Sequence, residues 1–368
     1  MNQPTTGLLG QLAIFHGTGQ ELELARHAVP PLQPAELLIR NLYTTLCGSD
    51  LHTYCGLRQE TCPTVLGHEI VGVIQAIDPA HPALDLNGDN LTVGDIITWS
   101  IFSSNPDSPN SIAGIPQKGN ELFKYGHALV QDGDAFHGGL AEYCILKANT
   151  GILRIPEGMP LPVAATINCS VATVAGALRM AGNIKGKSVL ITGMGHLGIT
   201  CAAMCRKAGA EWIGAVDISI ERLEDSLHFG VDKLYNSRGD YSLLVQEIKT
   251  DLPRKAVDLV FDMSGSPEAM ELGLETLAIG GMAVWVGAVF KSRCLPVNPE
   301  KIIRNLLTIK GLHNYNYDDF RNALSFLKEN WYRYPFEKAV AKEFSLQEVE
   351  QAFQFAVKNK PLRVGIRL

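Results

Sequence analysis

The chain has 368 residues, 46% of them apolar and 19% charged, with 32 Lys and Arg against 38 Asp and Glu for a net charge of −6. Such a composition supports a substantial core and excludes a disordered chain. The acidic balance argues against a nucleic-acid partner, and at about 100–200 residues per domain the length fits two domains.

The chain starts Met1-Asn2-Gln3-Pro4, with no cationic start leading into an apolar stretch, so no signal peptide is expected. No uninterrupted apolar run approaches the roughly 18 residues of a bilayer span, so no membrane partner is expected. The first third reads as short strands punctuated by Gly and Pro, at 37–41, 70–77 and 95–100, and residues 103–119 read as an irregular lobe rich in Ser, Asn, Pro and Gly. From about Lys187 the rhythm changes to alternating strands and helices. Strands are expected at Ser188–Thr192, 212–216, 257–263 and 282–286, with helices between them, then helix again after Gly311 and a last strand at 363–368. Buried strands alternating with helices predict an α/β fold with a parallel, doubly wound sheet.

Eight cysteines, at 47, 55, 62, 144, 169, 201, 205 and 294, are scattered with no C-x-x-C pair. Secreted scaffolds concentrate cysteine in short chains, and this pattern points instead to a soluble, cytoplasmic protein. Cys201 and Cys205 lie four apart in an apolar stretch, which places both on one helix face as packing rather than as ligands.

The turn after the first strand of the second half is Gly193-Met194-Gly195-His196-Leu197-Gly198. A lone G-x-G-x-x-G is weak evidence. Here it follows a strand, opens a helix, and precedes by 24 positions the acidic residue Asp217 that ends the next strand. Gly193 allows the tight turn, Gly195 lets backbone approach a pyrophosphate, and Gly198 lets the helix pack close. Asp217 suits the ribose hydroxyls and repels a 2′-phosphate, which predicts NAD(H) over NADP. His196 reads as exposed loop.

Upstream, Cys47-Gly48-Ser49-Asp50-Leu51-His52 gathers a thiol, a hydroxyl, a carboxylate and an imidazole within six residues. Gly67-His68-Glu69-Ile70-Val71-Gly72 and Val93-Gly94-Asp95 follow. Singly each residue has an ordinary structural reading. Together, ahead of a Rossmann pattern, they resemble the zinc-containing medium-chain dehydrogenase/reductase family over essentially the whole chain.

The resemblance implies a GroES-like, β-rich catalytic domain at 1–170 and 313–368 and a Rossmann NAD-binding domain at 171–312. It implies one catalytic Zn2+ per chain, held by Cys47, His68 and Cys169 with a fourth position open. Asp50 would orient His68, and Glu69 would be a neighbouring or transient ligand. Ser49 would take the alcohol proton and pass it through the nicotinamide ribose to His52 at the surface. Thr173 and the backbone at Val286-Gly287-Ala288 would meet the nicotinamide, and Arg363 would reach the pyrophosphate, although an exposed surface charge also fits that residue. The family often carries a second, structural zinc on four lobe cysteines. Those positions fall here on Asn105, Ser108, Ser111 and Gly119, so no structural zinc is expected.

Gly114-Ile115-Pro116-Gln117-Lys118, Leu122-Phe123-Lys124-Tyr125-Gly126-His127 and the Asn168-Cys169 context resemble a subgroup of alcohol dehydrogenases associated with phosphonate catabolism. That implies a small alcohol or aldehyde substrate bearing an anionic group, with Lys118, Lys124 and Arg58 as cations for it. Lysines pointing into solvent are the competing reading, and a pocket near Trp99 and Ile101 would suit a neutral substrate. The family usually forms homodimers or homotetramers. Two rival classes are a zinc-free NADPH-dependent reductase of activated double bonds and a non-enzymatic nucleotide-binding protein. The intact Cys/His/Cys set opposes the first, and Ser49 with His52 opposes the second.

Overall fold

Strand Leu37–Leu46 organises the first unit, because its alternate residues are buried on both faces and it pairs with three partners. The computed structural model describes residues 7–252 and 255–368, so the four N-terminal residues discussed above lie outside the described residues. The sheet runs Val340–Ser345, Arg363–Arg367, Leu37–Leu46, Glu69–Ile77, Ile96–Trp99 and Ile152–Arg154, with Tyr143–Leu146 also pairing Leu37–Leu46. All pairings except Val340–Ser345 with Arg363–Arg367 are antiparallel. The chain divides into two units, one of residues 1–172, 316–331 and 336–368 and one of 173–315 and 332–335. Residues 332–335, expected in the first, cluster with the second, because Tyr334 stacks on Phe229 at 6.1 Å and donates to the carbonyl of Ala203.

The second unit is a six-stranded, all-parallel sheet. Its order is Lys233–Asn236, Trp212–Asp217, Ser188–Thr192, Val257–Asp262, Leu277–Trp285, Thr308–Gly311, the expected doubly wound arrangement. The order reverses between Ser188–Thr192 and Val257–Asp262, whose C-terminal ends flank the crevice where such sheets take ligands. Cys201 and Cys205 are both fully buried in helix His196–Lys207, as their spacing predicts. His196 departs from its expected place. It opens that helix rather than lying in an exposed loop, and its ring folds back toward Thr200 one turn on, with 3% exposure.

The lobe predicted as irregular carries a ribbon of Phe102–Ser103 with Phe123–Lys124, a short helix Pro109–Ile112 and a turn of 3-10 helix Pro116–Lys118. Leu161–Ala181 is helical over 21 residues and, by length and composition alone, apolar enough to cross a bilayer. Of its most apolar window, 78% is buried inside the protein, as in a core helix. Thr166, Asn168 and Ser170 interrupt it, which is why a search for unbroken apolar runs passes it over.

One buried group in the first unit has a measurable consequence for stability. His137 is fully buried, and among the described residues neither ring nitrogen finds a hydrogen-bond partner on another residue. Burial holds its pKa down to about 4, opposed by the carboxylate of Asp134. The unfolded chain therefore binds this proton near pH 6.5 and the folded chain does not, so stability is lost as pH falls from about 6.5 toward 4. Between pH 7.5 and 5 the loss is roughly 2 kcal/mol. His137→Leu is expected to remove that part of the acid limb, as read from urea midpoints at the two pH values.

Candidate active site

Sheet register assembles the site. Thr45 pairs with Glu69 and Val364 with Leu46. Cys47 therefore leaves one strand beside the start of the second, at His68, and beside the start of the third, at Arg363. Gly67, immediately before His68, has φ +86°, and a Cβ there would stand 3.1 Å from the Cα of Gly139, so the turn that presents His68 needs glycine. Cys169 comes from a π-helical turn, Ile167–Val171, a local widening often found at functional sites. Its neighbour Asn168 is buried and donates to the carbonyls of His68 at 2.9 Å and Trp99 at 2.8 Å, which ties the π turn to both strands.

The donor atoms of Cys47, His68 and Cys169 all lie within 4.8 Å of one another. The two sulfurs are 4.0 Å apart. Two thiols and one imidazole at this spacing suit a tetrahedral zinc ion with one position left for water or substrate. The carboxylate of Asp50, at 1% exposure, stands 3.3 Å from Nδ1 of His68 and accepts from the backbone of Cys47 and Gly67. That carboxylate orients the ring with Nε2 toward the sulfurs. Ser49 Oγ lies 3.4 Å from Nε2 of His68. His52 sits on the same short helix, Gly48–Tyr54, half-buried rather than at the open surface, and burial holds its pKa below the ordinary histidine value.

The three groups hold one another's protons. The Cys169 thiol holds Cys47 well below the usual thiol range, helped by Arg363 and His68 against the cost of burial. Cys169 is raised in turn by Cys47 and by burial. Burial would depress His68, yet the charges of Asp50 and Cys47 raise it well above its ordinary value. Only Cys47 is thus in the state that a divalent cation requires, and metal binding here would release a proton from Cys169 and one from His68.

Arg363 is buried, which removes the exposed-charge reading. Its guanidinium grips Glu69 through two hydrogen bonds of 2.7 Å, and Nη2 stands 3.7 Å from the sulfur of Cys47. Glu69 also accepts from the hydroxyl of Thr45. Both its oxygens are thus engaged by protein groups. Trp99 and Ile101 are buried, and Trp99 packs edge-on against Tyr125 in the core.

Close to His68 lies a second charged group. The rings of His68 and His127 are 5.2 Å apart, and Glu60 stands 3.2 Å from His127 and 2.6 Å from Arg58. Lys124 is half-buried, and burial first, then the charges of Lys118 and Arg58, push its ammonium below the ordinary range, with Glu60 opposing. Lys118 is exposed.

The lobe positions expected to have lost their metal still converge. Ser108 and Ser111 donate to the carbonyl of Asn105 at 2.9 and 2.7 Å, and their hydroxyls are 2.9 Å apart. The N–H of Asn120 donates to Ser108, and that of Asn105 to the carbonyl of Asn120. A Cβ at Gly119 would fall 2.5 Å from Ser111 Oγ and 2.9 Å from Ser104 Cβ, so the knot closes around a glycine.

In the second unit, Gly193 has φ +92°, and a Cβ on it would strike Ser264 at 2.8 Å; one on Gly198 would strike the Gly193 carbonyl at 2.0 Å. Both glycines are required by packing. At Gly195 a Cβ would meet no protein atom, so its bare backbone answers no internal need. Asp217, 8% exposed, accepts from the N–H of Met194 at 2.6 Å and of Ser219 at 2.8 Å. It therefore anchors the glycine turn, a task its position in the motif did not disclose. Thr173 and Val286 are both buried, Thr173 in helix Ala172–Ala181 and Val286 just beyond strand Leu277–Trp285.

Residues 33–157 match the alcohol dehydrogenase GroES-like domain, and residues 196–329 match the zinc-binding dehydrogenase domain. Alcohol dehydrogenase 1 of Solanum tuberosum is 27% identical over 368 residues, 97% of this chain and 96% of that one. An L-threonine 3-dehydrogenase of Streptomyces avermitilis is 32% identical over 305 residues, 82% of this chain and 83% of that one. The crystal structure of an alcohol dehydrogenase from Thermotoga maritima, 23% identical, superposes with a TM-score of 0.92 over 98% of this chain and 100% of that one. With a GroES-like sheet, a doubly wound parallel sheet and a Cys-His-Cys cluster in one chain, this protein is an oxidoreductase belonging to the zinc-dependent medium-chain alcohol dehydrogenase family.

Proposed function

We propose that the protein is an NAD-dependent zinc alcohol dehydrogenase, moving hydride reversibly between a small alcohol or aldehyde and NAD(H). The convergence of Cys47, His68 and Cys169 within 4.8 Å carries the reading, and it opposes a zinc-free reductase. A zinc ion held there supplies Lewis-acid stabilisation of a negative substrate oxygen, and the nicotinamide supplies the hydride acceptor or donor. The chain's own residues manage the proton. Ser49 Oγ, beside Nε2 of His68, accepts the alcohol proton, and half-buried His52, kept neutral by its depressed pKa, receives it further on. Asp50 keeps His68 oriented, and Arg363 engages both oxygens of Glu69 and so holds it out of the ligand set. The hydroxyl knot supports a lobe without structural zinc. The absence of any disulfide among the described residues fits a reducing, cytoplasmic setting. The open edge strand Thr308–Gly311, with Ile303 and Leu306 exposed nearby, fits a homodimer or homotetramer.

Asp217 supports the choice of NAD. Asp217→Ala is expected to narrow the preference for NAD over NADP by about tenfold, read as the ratio of kcat/KM values. It also lowers kcat/KM for NAD itself, because the Met194 N–H loses its anchor. Equal values for the two cofactors in the parent protein overturn the assignment.

For the substrate, half-buried Lys124 under the fields of Lys118 and Arg58 supports an anionic group of the phosphonate type. Glu60 tempers that field from between Arg58 and His127. The test is kcat/KM for a hydroxyalkylphosphonate, or its aldehyde, against an uncharged alcohol of similar size, on protein shown by elemental analysis to hold one zinc per chain. The anionic compound is expected to win. A tenfold win for the neutral one, about 1.4 kcal/mol at the transition state, rejects the anionic class and leaves the dehydrogenase standing.

A further inference from the structure

Asp262 ends the strand Val257–Asp262 on one side of the crevice where the sheet order reverses, and it is fully buried. A buried carboxylate needs donors, and this one has four. Its Oδ1 accepts from the hydroxyl of Thr192 at 2.9 Å, the hydroxyl of Ser264 at 2.6 Å and the Ser264 N–H at 3.3 Å. Its Oδ2 accepts from the Gly265 N–H at 3.0 Å. Its own carbonyl accepts from the N–H groups of Val286 and Gly287, at 3.0 and 3.1 Å.

Three strand ends therefore converge on one residue. Thr192 closes the strand that feeds the glycine turn, and Val286 and Gly287 follow the strand on the other side. The spacing between them is close to the limit of contact. A Cβ on Gly193 would lie 2.8 Å from Ser264, one on Gly265 2.5 Å from the Gly287 carbonyl, and one on Gly287 2.3 Å from the Gly265 nitrogen. Any swelling at Ser264-Gly265 would move the glycine turn on one side and the segment after Trp285 on the other.

We propose that Asp262 is a positioning residue for the dinucleotide, fixing the separation between the phosphate-binding turn Gly193–Gly198 and the Val286-Gly287-Ala288 backbone so that both halves of the cofactor are held in register. This rests on the dinucleotide reading above. Each half alone needs only one of the two segments, whereas the whole dinucleotide needs both at a set distance. Loss of the clamp should therefore weaken NADH more than ADP-ribose, which keeps both phosphates for the glycine turn but has no nicotinamide to set against Val286-Gly287-Ala288.

The experiment compares NADH, followed by its fluorescence on titration into the zinc-loaded protein, with ADP-ribose, measured by competition. Asp262→Asn keeps the acceptor for Thr192 and Ser264 but turns an amide N–H toward the Gly265 N–H. It is expected to weaken NADH by about tenfold or more and ADP-ribose by less than about threefold. Thr192→Val and Ser264→Ala, which each remove one donor and keep the carboxylate, should show the same inequality in milder form. They decide the matter if Asp262→Asn does not fold. Equal weakening of the two probes, or no weakening of either, overturns the positioning role and leaves the dinucleotide reading intact. Failure of the parent protein to bind either probe overturns both.

Discussion

Cys169→Ser lowers zinc retention and turnover together, each by more than about a hundredfold, since even removal of groups that only support a ligand costs 10–100-fold in metal affinity or activity. The substitution replaces a thiolate with a neutral hydroxyl in a set whose three donors lie within 4.8 Å. It also removes the thiol that holds Cys47 in its ionised form. The backbone of the π turn should be unaffected, because Asn168, not Cys169, ties it to His68 and Trp99. Elemental analysis and steady-state rates on the same preparation check this. Full zinc content with full activity would mean that the third ligand lies elsewhere.

Ser49→Ala is the second large effect, and it separates proton transfer from metal binding. A positioned proton acceptor contributes about 10²–10⁴ in rate, so turnover should fall by that factor while zinc content stays at one per chain. His52→Gln should cost less. Because burial lowers the His52 pKa, the parent protein should keep its rate below the usual histidine range and lose it only as His52 takes up a proton. The variant should show a lower, flatter profile without that acid inflection. An unchanged rate for Ser49→Ala moves the relay to other groups.

Much of the site could be read from local sequence because its chemistry is local. Cys47, Ser49, Asp50 and His52 occupy one turn and one short helix, and the strand Ser188–Thr192 has the observed limits because a β-type run meets glycine at its end. What could not be read depends on register between distant strands. Arg363 meets Glu69 across 294 positions only because strand Arg363–Arg367 lies beside Leu37–Leu46. The role of Asp262 is hidden from local sequence for a related reason. An acidic residue ending a buried strand before Ser-Gly was visible in the sequence, but its four donors come partly from a strand 70 positions earlier. A polar residue in a glycine turn such as His196 reads as exposed, whereas the first turn of an otherwise buried helix encloses it.

The closure of the lobe by Asn105, Ser108, Ser111 and Gly119 also changes how the protein meets oxidants. Where thiolates clamp such a loop, peroxide converts them to sulfenic acids or disulfides, the ion leaves and the loop opens. Hydroxyls and carbonyls undergo no such conversion under the same exposure. Damage of that kind is then confined to the cysteines elsewhere in the chain, and foremost to Cys47, whose ionised sulfur is the form that reacts. A reductant that restores Cys47 and Cys169 would have no lobe to rebuild.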